Sequence, residues 1–189
     1  MALARLMMAC AVGWTAVACS GNTFLSSPDG NITVEQTLSD EGVPVLCVSA
    51  YGDHVLEISA SGVETVETEI CSGFEVVDID RKRVNLEWTQ PWGENKSVID
   101  RHREMAVLLK NDVGVSLVLR VRAFDDGIGF RYEYDTALDS LTVTAENTCF
   151  TFANDGVSWS IPGNFETYEL DIRELPISSV ETANTPFTF

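Results

Sequence analysis

The chain predicts an all-β fold, a large sandwich of antiparallel sheets, on three observations. Apolar and polar residues alternate with period two through most of its length, turn residues punctuate these runs at short intervals, and no stretch is bracketed by helix-capping residues. A strand sends successive side chains to opposite faces, so this alternation describes elements with one face on a core and the other in water. Many short strands with closely spaced turns favour sheet packed on sheet over a barrel of alternating strands and helices.

After the polar opening Ser26-Ser27-Pro28-Asp29-Gly30, Ile32, Val34 and Leu38 alternate with Thr33, Glu35 and Thr37. Similar alternation predicts strands over 43–49, 55–59, 74–80, 84–88, 115–124, 128–134, 141–144 and 149–152. Asp126-Gly127 and Asp155-Gly156 each follow a strand and predict hairpin turns, because a two-residue turn needs positive φ. The segment 98–109 also fits a helical period, but Met105-Ala106-Val107-Leu108-Leu109 suits a buried strand and no cap flanks it, so a strand is expected there.

The first eighteen residues carry one basic residue, Arg5, an apolar run over 6–12, then Ala16-Val17-Ala18, and no acid. This reads as a signal peptide, since a spanning anchor needs about 20 continuous apolar residues and polar Ser20-Gly21-Asn22 follow too soon. Val17-Ala18-Cys19 is similar to a bacterial lipoprotein box. Lipidated Cys19 would tether the protein to a membrane face without a spanning helix, and Ser20 after it points to the outer membrane. The expected organisation is a signal peptide over 1–18, a short polar linker over 19–26, and one sandwich domain over 27–189. Thr185-Pro186-Phe187-Thr188-Phe189 opens an alternating strand with no turn or polar tail after it, so the domain is expected to be incomplete at its C-terminal end. The expected location is the periplasm or, for the lipidated form, the outer membrane.

The formal charge is −17, and loss of Arg5 with the leader leaves 11 basic against 29 acidic residues. Such a surface repels nucleic acid and anionic headgroups, so no nucleic-acid partner is expected and membrane contact only through the lipid. Cys47, Cys71 and Cys149 remain in the body; an odd number leaves either one bridge plus a thiol, or three small apolar side chains on strands. His54 and His102 have no second ligand at zinc spacing, and no phosphate loop, nucleophile elbow or calcium loop is present.

What remains is aromatic and acidic: Trp88-Thr89-Gln90-Pro91-Trp92-Gly93-Glu94, then Asp125-Asp126-Gly127-Ile128-Gly129-Phe130-Arg131-Tyr132-Glu133, then Trp159-Ser160-Ile161-Pro162-Gly163-Asn164 running on to Tyr168-Glu169. Taken in this order, with Ser27-Pro28-Asp29-Gly30 before them and Ala183-Asn184-Thr185-Pro186-Phe187 after, they resemble the N-terminal domain of glycoside hydrolase family 97, from about Ser27 to the end. The segment Ile99-Asp100-Arg101-His102-Arg103-Glu104 departs from the family pattern in lacking asparagines.

The resemblance implies a galactose-mutarotase-like sandwich, followed in intact members by a (β/α)-barrel and a small β-domain. It implies hydrolysis of α-glucosides or α-galactosides, with the paired catalytic carboxylates on the barrel and therefore none in this chain. It also implies a calcium ion in the inverting members, to which Glu169 matches the one ligand supplied by the N-terminal domain. One carboxylate cannot hold calcium alone, so the barrel would provide the rest. The implied partners are an oligo- or polysaccharide substrate and the downstream barrel of the same polypeptide. Trp92 and Glu94 are candidate substrate contacts, with a buried aromatic and a turn carboxylate as the plainer alternatives. At least two of Trp88, Trp92 and Trp159 are expected in the core or at a domain interface, and Arg131 with Glu133, two apart on one face, is expected to form an ion pair.

Three functions compete at this point: an accessory domain of an exported α-glycosidase, a stand-alone carbohydrate-binding module, and a mutarotase-like proton-transfer enzyme. The last needs two histidines converging in one cleft.

Overall fold

The computed structural model describes residues 23–189 apart from 61, 68–69, 136–139 and 165, so the leader and Cys19 lie outside the described residues. Among those residues the chain is all β, with no α-helix. Two sheets face each other. One runs β1 (Phe24–Ser26), β2 (Ile32–Leu38), β3 (Pro44–Ala50), β4 (Asp53–Ser59) and, after a long excursion, β11 (Cys149–Phe152). The other is β6 (Glu75–Thr89), β7 (Ser97–Lys110), β8 (Ser116–Phe124) and β9 (Gly127–Asp135). Two ribbons complete the fold: β5 (Val63–Thr65) with β10 (Val143–Glu146), and β12 (Val157–Ser160) with β13 (Arg173–Pro176), the latter followed by a 3-10 turn over Ile177–Ser179.

The core is one layer of side chains from the two inward faces. Val34 lies opposite Val48 and Leu46 opposite Ile58 in the first sheet. Met105 faces Val121, Val107 faces Leu119 and Leu109 faces Leu117 in the second. All ten are buried in one cluster, with Phe130, Tyr132 and Tyr134 of β9 packed against its margin. Each fully buried Leu or Ile contributes about 1.5–3 kcal/mol, so this layer dominates the stability.

Several boundaries differ from the alternation. The strands expected at 74–80 and 84–88 are one 15-residue strand, β6. It lies at the sheet edge, where Arg81, Lys82 and Arg83 stay exposed on either face, so a charged run does not break it. The hairpin between β8 and β9 turns through Asp125-Asp126, with Phe124 paired to Gly127, one residue earlier than expected. Asp155-Gly156 is not a hairpin: β11 pairs back with β4 while β12 pairs with β13, and Asp155 accepts hydrogen bonds from the backbone N–H and hydroxyl of Ser178. The supposed linker contributes a strand, since Phe24–Ser26 pairs with residues 33–35 of β2. The strand reading of 98–109 holds, as β7.

Beyond Arg103, β7 pairs only with β6, so residues 84–89 and 97–102 form a two-stranded arm. On its outer face Val84, Leu86 and Trp88 sit across from His102, Asp100 and Val98. Toward the centre this face turns ionic. Glu104, its side chain 6% exposed, accepts from Arg120 Nη1 and Arg122 Nε, each at 2.7 Å. Arg120 also donates to both oxygens of Glu133, from Nε at 2.7 Å and Nη2 at 2.9 Å. Glu133 in turn accepts from Arg131, which is the expected ion pair. Charge-assisted bonds across three strands satisfy groups that burial would otherwise penalise.

Gly42, at φ +72°, sits where an added Cβ would be 2.6 Å from the backbone N of Phe74, whereas Gly30, at φ +83°, has open space around it. Gly30→Ala is expected to cost about 1–2 kcal/mol, the left-handed backbone penalty alone. Gly42→Ala should cost clearly more, and urea unfolding of the two variants measures the difference. The Arg120 guanidinium holds the Glu133 carboxyl down at about 2 against an ordinary 4.5. A carboxyl lowered in this way adds stability above its unfolded value, and that stability is lost as pH falls from about 4.5 toward 2. Urea midpoints measured across this window should fall less steeply for Arg120→Met than for the parent.

Candidate functional site

Two regions contain the residues singled out for substrate and metal. The first is the tip of the arm. Gln90 closes the loop between β6 and β7, donating from its backbone N–H to Lys96 O at 3.0 Å and from Nε2 to Asn95 O at 2.9 Å. The loop surrounds an open cleft of about 560 Å³ lined by Gln90, Trp92, Glu94 and Lys96 among others. Trp92 and Glu94 therefore share one cleft. Trp92 is 84% exposed, Trp88 47% and Trp159 44%. None of the three is in the core: Trp88 lies on the edge strand β6, Trp92 in the loop after it, and Trp159 on β12, outside the two facing sheets.

The second region is the loop between β12 and β13, which carries Glu169. Its base is clamped against the C-terminal segment. Pro162 bridges to Ala183, Asn184 N donates to Ile161 O at 2.9 Å, and Gly163 N donates to Thr182 O at 3.2 Å. Gly163 is needed for that approach, since a Cβ there would lie 2.9 Å from the Thr182 Cβ. Two sequence segments far apart in the chain, 161–164 and 183–187, thus meet. Glu169 itself is held only by its backbone N–H, which donates to Thr167 Oγ1 at 3.1 Å, and its exposed carboxylate has no hydrogen-bond or ion-pair partner among the described residues. Tyr168, Leu170 and Ile172, exposed at 69%, 38% and 69%, surround it. Sequence reading named Tyr168 with Glu169 but did not single out Leu170 and Ile172; the apolar residues placed beside and between Glu169 and Asp171 were the available signal.

No hydrogen bond, ion pair or ring contact among the described residues joins the arm tip to the Glu169 loop. No group of three His, Cys, Asp or Glu able to hold a metal occurs among the described residues either. Glu169 offers one hard oxygen donor, which fits one position of a calcium shell and not a whole site.

The histidines do not converge. His54 is exposed on β4 of the first sheet, while His102 is 2% exposed on β7 of the second. His102 Nδ1 lies 2.5 Å from Asp100 Oδ1, its ring stacks against Phe124 at 5.0 Å, and its Nε2 is buried without a partner. Cys47, Cys71 and Cys149 carry no disulfide, and Cys149 is exposed rather than buried. The carboxyls whose pKa is displaced all move downward. Hydrogen bonds from Ser27 lower Asp29, from Thr142 Glu67 and from Ser178 Asp155. Burial opposes ionisation of Glu104, but Arg122 and Arg120 overcome it, and Arg120 lowers Glu133. A glycosidase acid needs the opposite shift, a carboxyl raised so that it keeps a proton to give.

The family model described as "Glycosyl-hydrolase 97 N-terminal" matches residues 25–189. A probable retaining alpha-galactosidase from Streptomyces bingchenggensis is 29% identical over 146 residues, covering 77% of this chain and 22% of the relative. A glycoside hydrolase family 97 enzyme from Pseudoalteromonas sp., solved with panose and with acarbose, superposes with a TM-score of 0.81 at 29% identity, covering 87% of this chain and 26% of that one. A beta-arabinopyranosidase shares the fold, with a TM-score of 0.77 at 20% identity, covering 89% of this chain and 29% of that one. The chain spans about a quarter of the length of these relatives. A family-model match over residues 25–189, on a sandwich that superposes on about a quarter of such an enzyme, makes this chain a member of glycoside hydrolase family 97, through its N-terminal domain.

Proposed function

We propose that this chain is the accessory N-terminal part of an exported glycoside hydrolase acting on α-glucosides or α-galactosides. It contributes to carbohydrate binding and the pocket wall through Trp92 and Glu94, and gives one calcium ligand, Glu169. The catalytic acid and base belong to a barrel that this chain does not include. The observation that carries the reading is the Glu169 loop. An unpartnered carboxylate is presented on a clamped base amid exposed Tyr168, Leu170 and Ile172, in a chain whose displaced carboxyls are all shifted away from acid catalysis. The relatives support the substrate class: one is a probable alpha-galactosidase, and another was solved with panose and acarbose. When bound, calcium would supply a fixed positive charge at the reacting end of the sugar, and this chain's part is to hold one oxygen donor in place for it. Export rests on the leader, and membrane attachment on Cys19.

A stand-alone carbohydrate-binding module is the second reading, favoured by three exposed tryptophans whose faces suit sugar rings.

Calorimetric titration of the isolated chain with calcium should show no binding tighter than the millimolar range, since a single carboxylate is too few ligands. Residues 25–189 exchanged into the Pseudoalteromonas enzyme should give a chimera whose glycosidase activity needs about tenfold more calcium when Glu169→Gln is introduced, a loss of about 1.4 kcal/mol in calcium binding. An unchanged calcium requirement would remove Glu169 from the metal. Tight, saturable quenching of the isolated chain's fluorescence by panose, abolished in Trp92→Ala, would move the binding-module reading into first place.

A further inference from the structure

We propose that β6 is a self-association edge, and that two copies of this chain pair antiparallel through it about a two-fold axis at Asn85, joining two four-stranded sheets into one of eight. The inference stands apart from the functional reading above.

β6 ends its sheet, so among the described residues the backbone groups on one side of a 15-residue strand face no further strand. Natural edges of this kind are shortened, bulged or interrupted by proline. Here residues 78–89 run in unbroken register against β7 and contain no proline. Apart from a register shift between Val76 and Asp78 near its start, only charge guards the edge, and its pattern is self-complementary. Residues directly opposite in an antiparallel pair project to the same face, so a two-fold pairing matches positions of equal parity. Centred on Asn85, each copy sets Val84 against Leu86 and Lys82 against the Trp88 indole on the outer face, and Arg83 against Glu87 on the other. Every pair occurs twice, and no like charges meet. Centring on Lys82 instead would set Arg81 against Arg83. The chosen register also brings a partner strand beside Leu86 and Trp88, which are 59% and 47% exposed in the single chain.

The charge distribution favours the same face. Residues 75–135 hold 10 basic against 12 acidic groups, whereas the rest of the chain holds 2 against 17. Two strongly acidic copies can approach closely only through the near-neutral part, which is the four-stranded sheet.

Light scattering on the purified chain should show concentration-dependent formation of a species of twice the monomer mass. Arg83→Glu, which sets carboxylate against carboxylate on both sides of the axis, should raise the dissociation constant at least about tenfold. Adding Glu87→Arg should restore it to within about threefold, because the pair is then merely reversed. In a background carrying Cys149→Ser, which removes the exposed native thiol, Asn85→Cys, on the axis, should form a cross-linked dimer under mild oxidation that neither the background chain nor Asp126→Cys, at the far side of the sheet, forms; this keeps the test open if the charge variants fail to fold. A chain that stays monomeric at every concentration overturns the proposal and leaves the edge to a strand from elsewhere in a longer polypeptide. A dimer indifferent to Arg83→Glu and not cross-linked through Asn85→Cys overturns it equally.

Discussion

Two sheets can bury each other only through one face each, and everything distinctive about this molecule follows from where that single apolar layer stops. Val34, Leu46, Val48 and Ile58 meet Met105, Val107, Leu109, Leu117, Leu119 and Val121. The layer covers β8 fully, but β7 only from Met105 onward and β6 hardly at all. Past its margin the backbone still prefers to pair, so β6 and β7 continue as an arm that is mostly exposed, with His102 at its root buried against Phe124. On the opposite face of the same sheet no second apolar layer arrives among the described residues. The polar groups there satisfy one another instead, through Glu104, Arg120, Arg122 and Glu133. That network allows the sheet to keep one face in water without leaving buried charge uncompensated.

The strands that touch this layer were the legible ones. β2, β3, β8 and β9 alternate cleanly because one of their faces is committed to the core, and the alternation identified each to within about two residues. β6 was split in two because an edge strand needs no apolar period, and Arg81-Lys82-Arg83 imitates a loop. Asp155-Gly156 misled for a different reason. Local turn chemistry was right, but β11 had already been claimed by β4, a pairing nearly a hundred residues back that no local pattern announces. Gln36, 1% exposed between Val34 and Leu38, shows the converse: it lies on the inward face of β2, a place that its polar side chain does not announce.

The candidate site divides in the same way. Trp92 and Glu94 sit together because two residues in one tight loop can hardly do otherwise, so their shared cleft followed from sequence proximity. None of the three tryptophans lies in the core of this domain, because hydrophobicity does not say which strand lies at an edge; the interface alternative is the one that their exposure leaves. Glu169 was legible only through family resemblance. Nothing local marks one glutamate among 29 acidic residues, and the features that set it apart, a clamped loop base and exposed apolar neighbours, come from a meeting of residues 161–164 with 183–187 that depends on the fold. His54 on β4 and His102 on β7 belong to different sheets, so they do not form the paired-histidine geometry that proton transfer at an anomeric carbon would require.

On the proposed reading, Glu169 gives one metal donor and the Trp92 loop helps to position a sugar, while the acid and base stand on the barrel of the parent enzyme. The most direct test is turnover of 4-nitrophenyl α-glucoside and α-galactoside by the purified chain in the presence of calcium. The account predicts no release of nitrophenol above the buffer rate. Release that rises in proportion to protein and disappears on substitution of a carboxylate in this chain would contradict it, and would place catalysis in the sandwich itself.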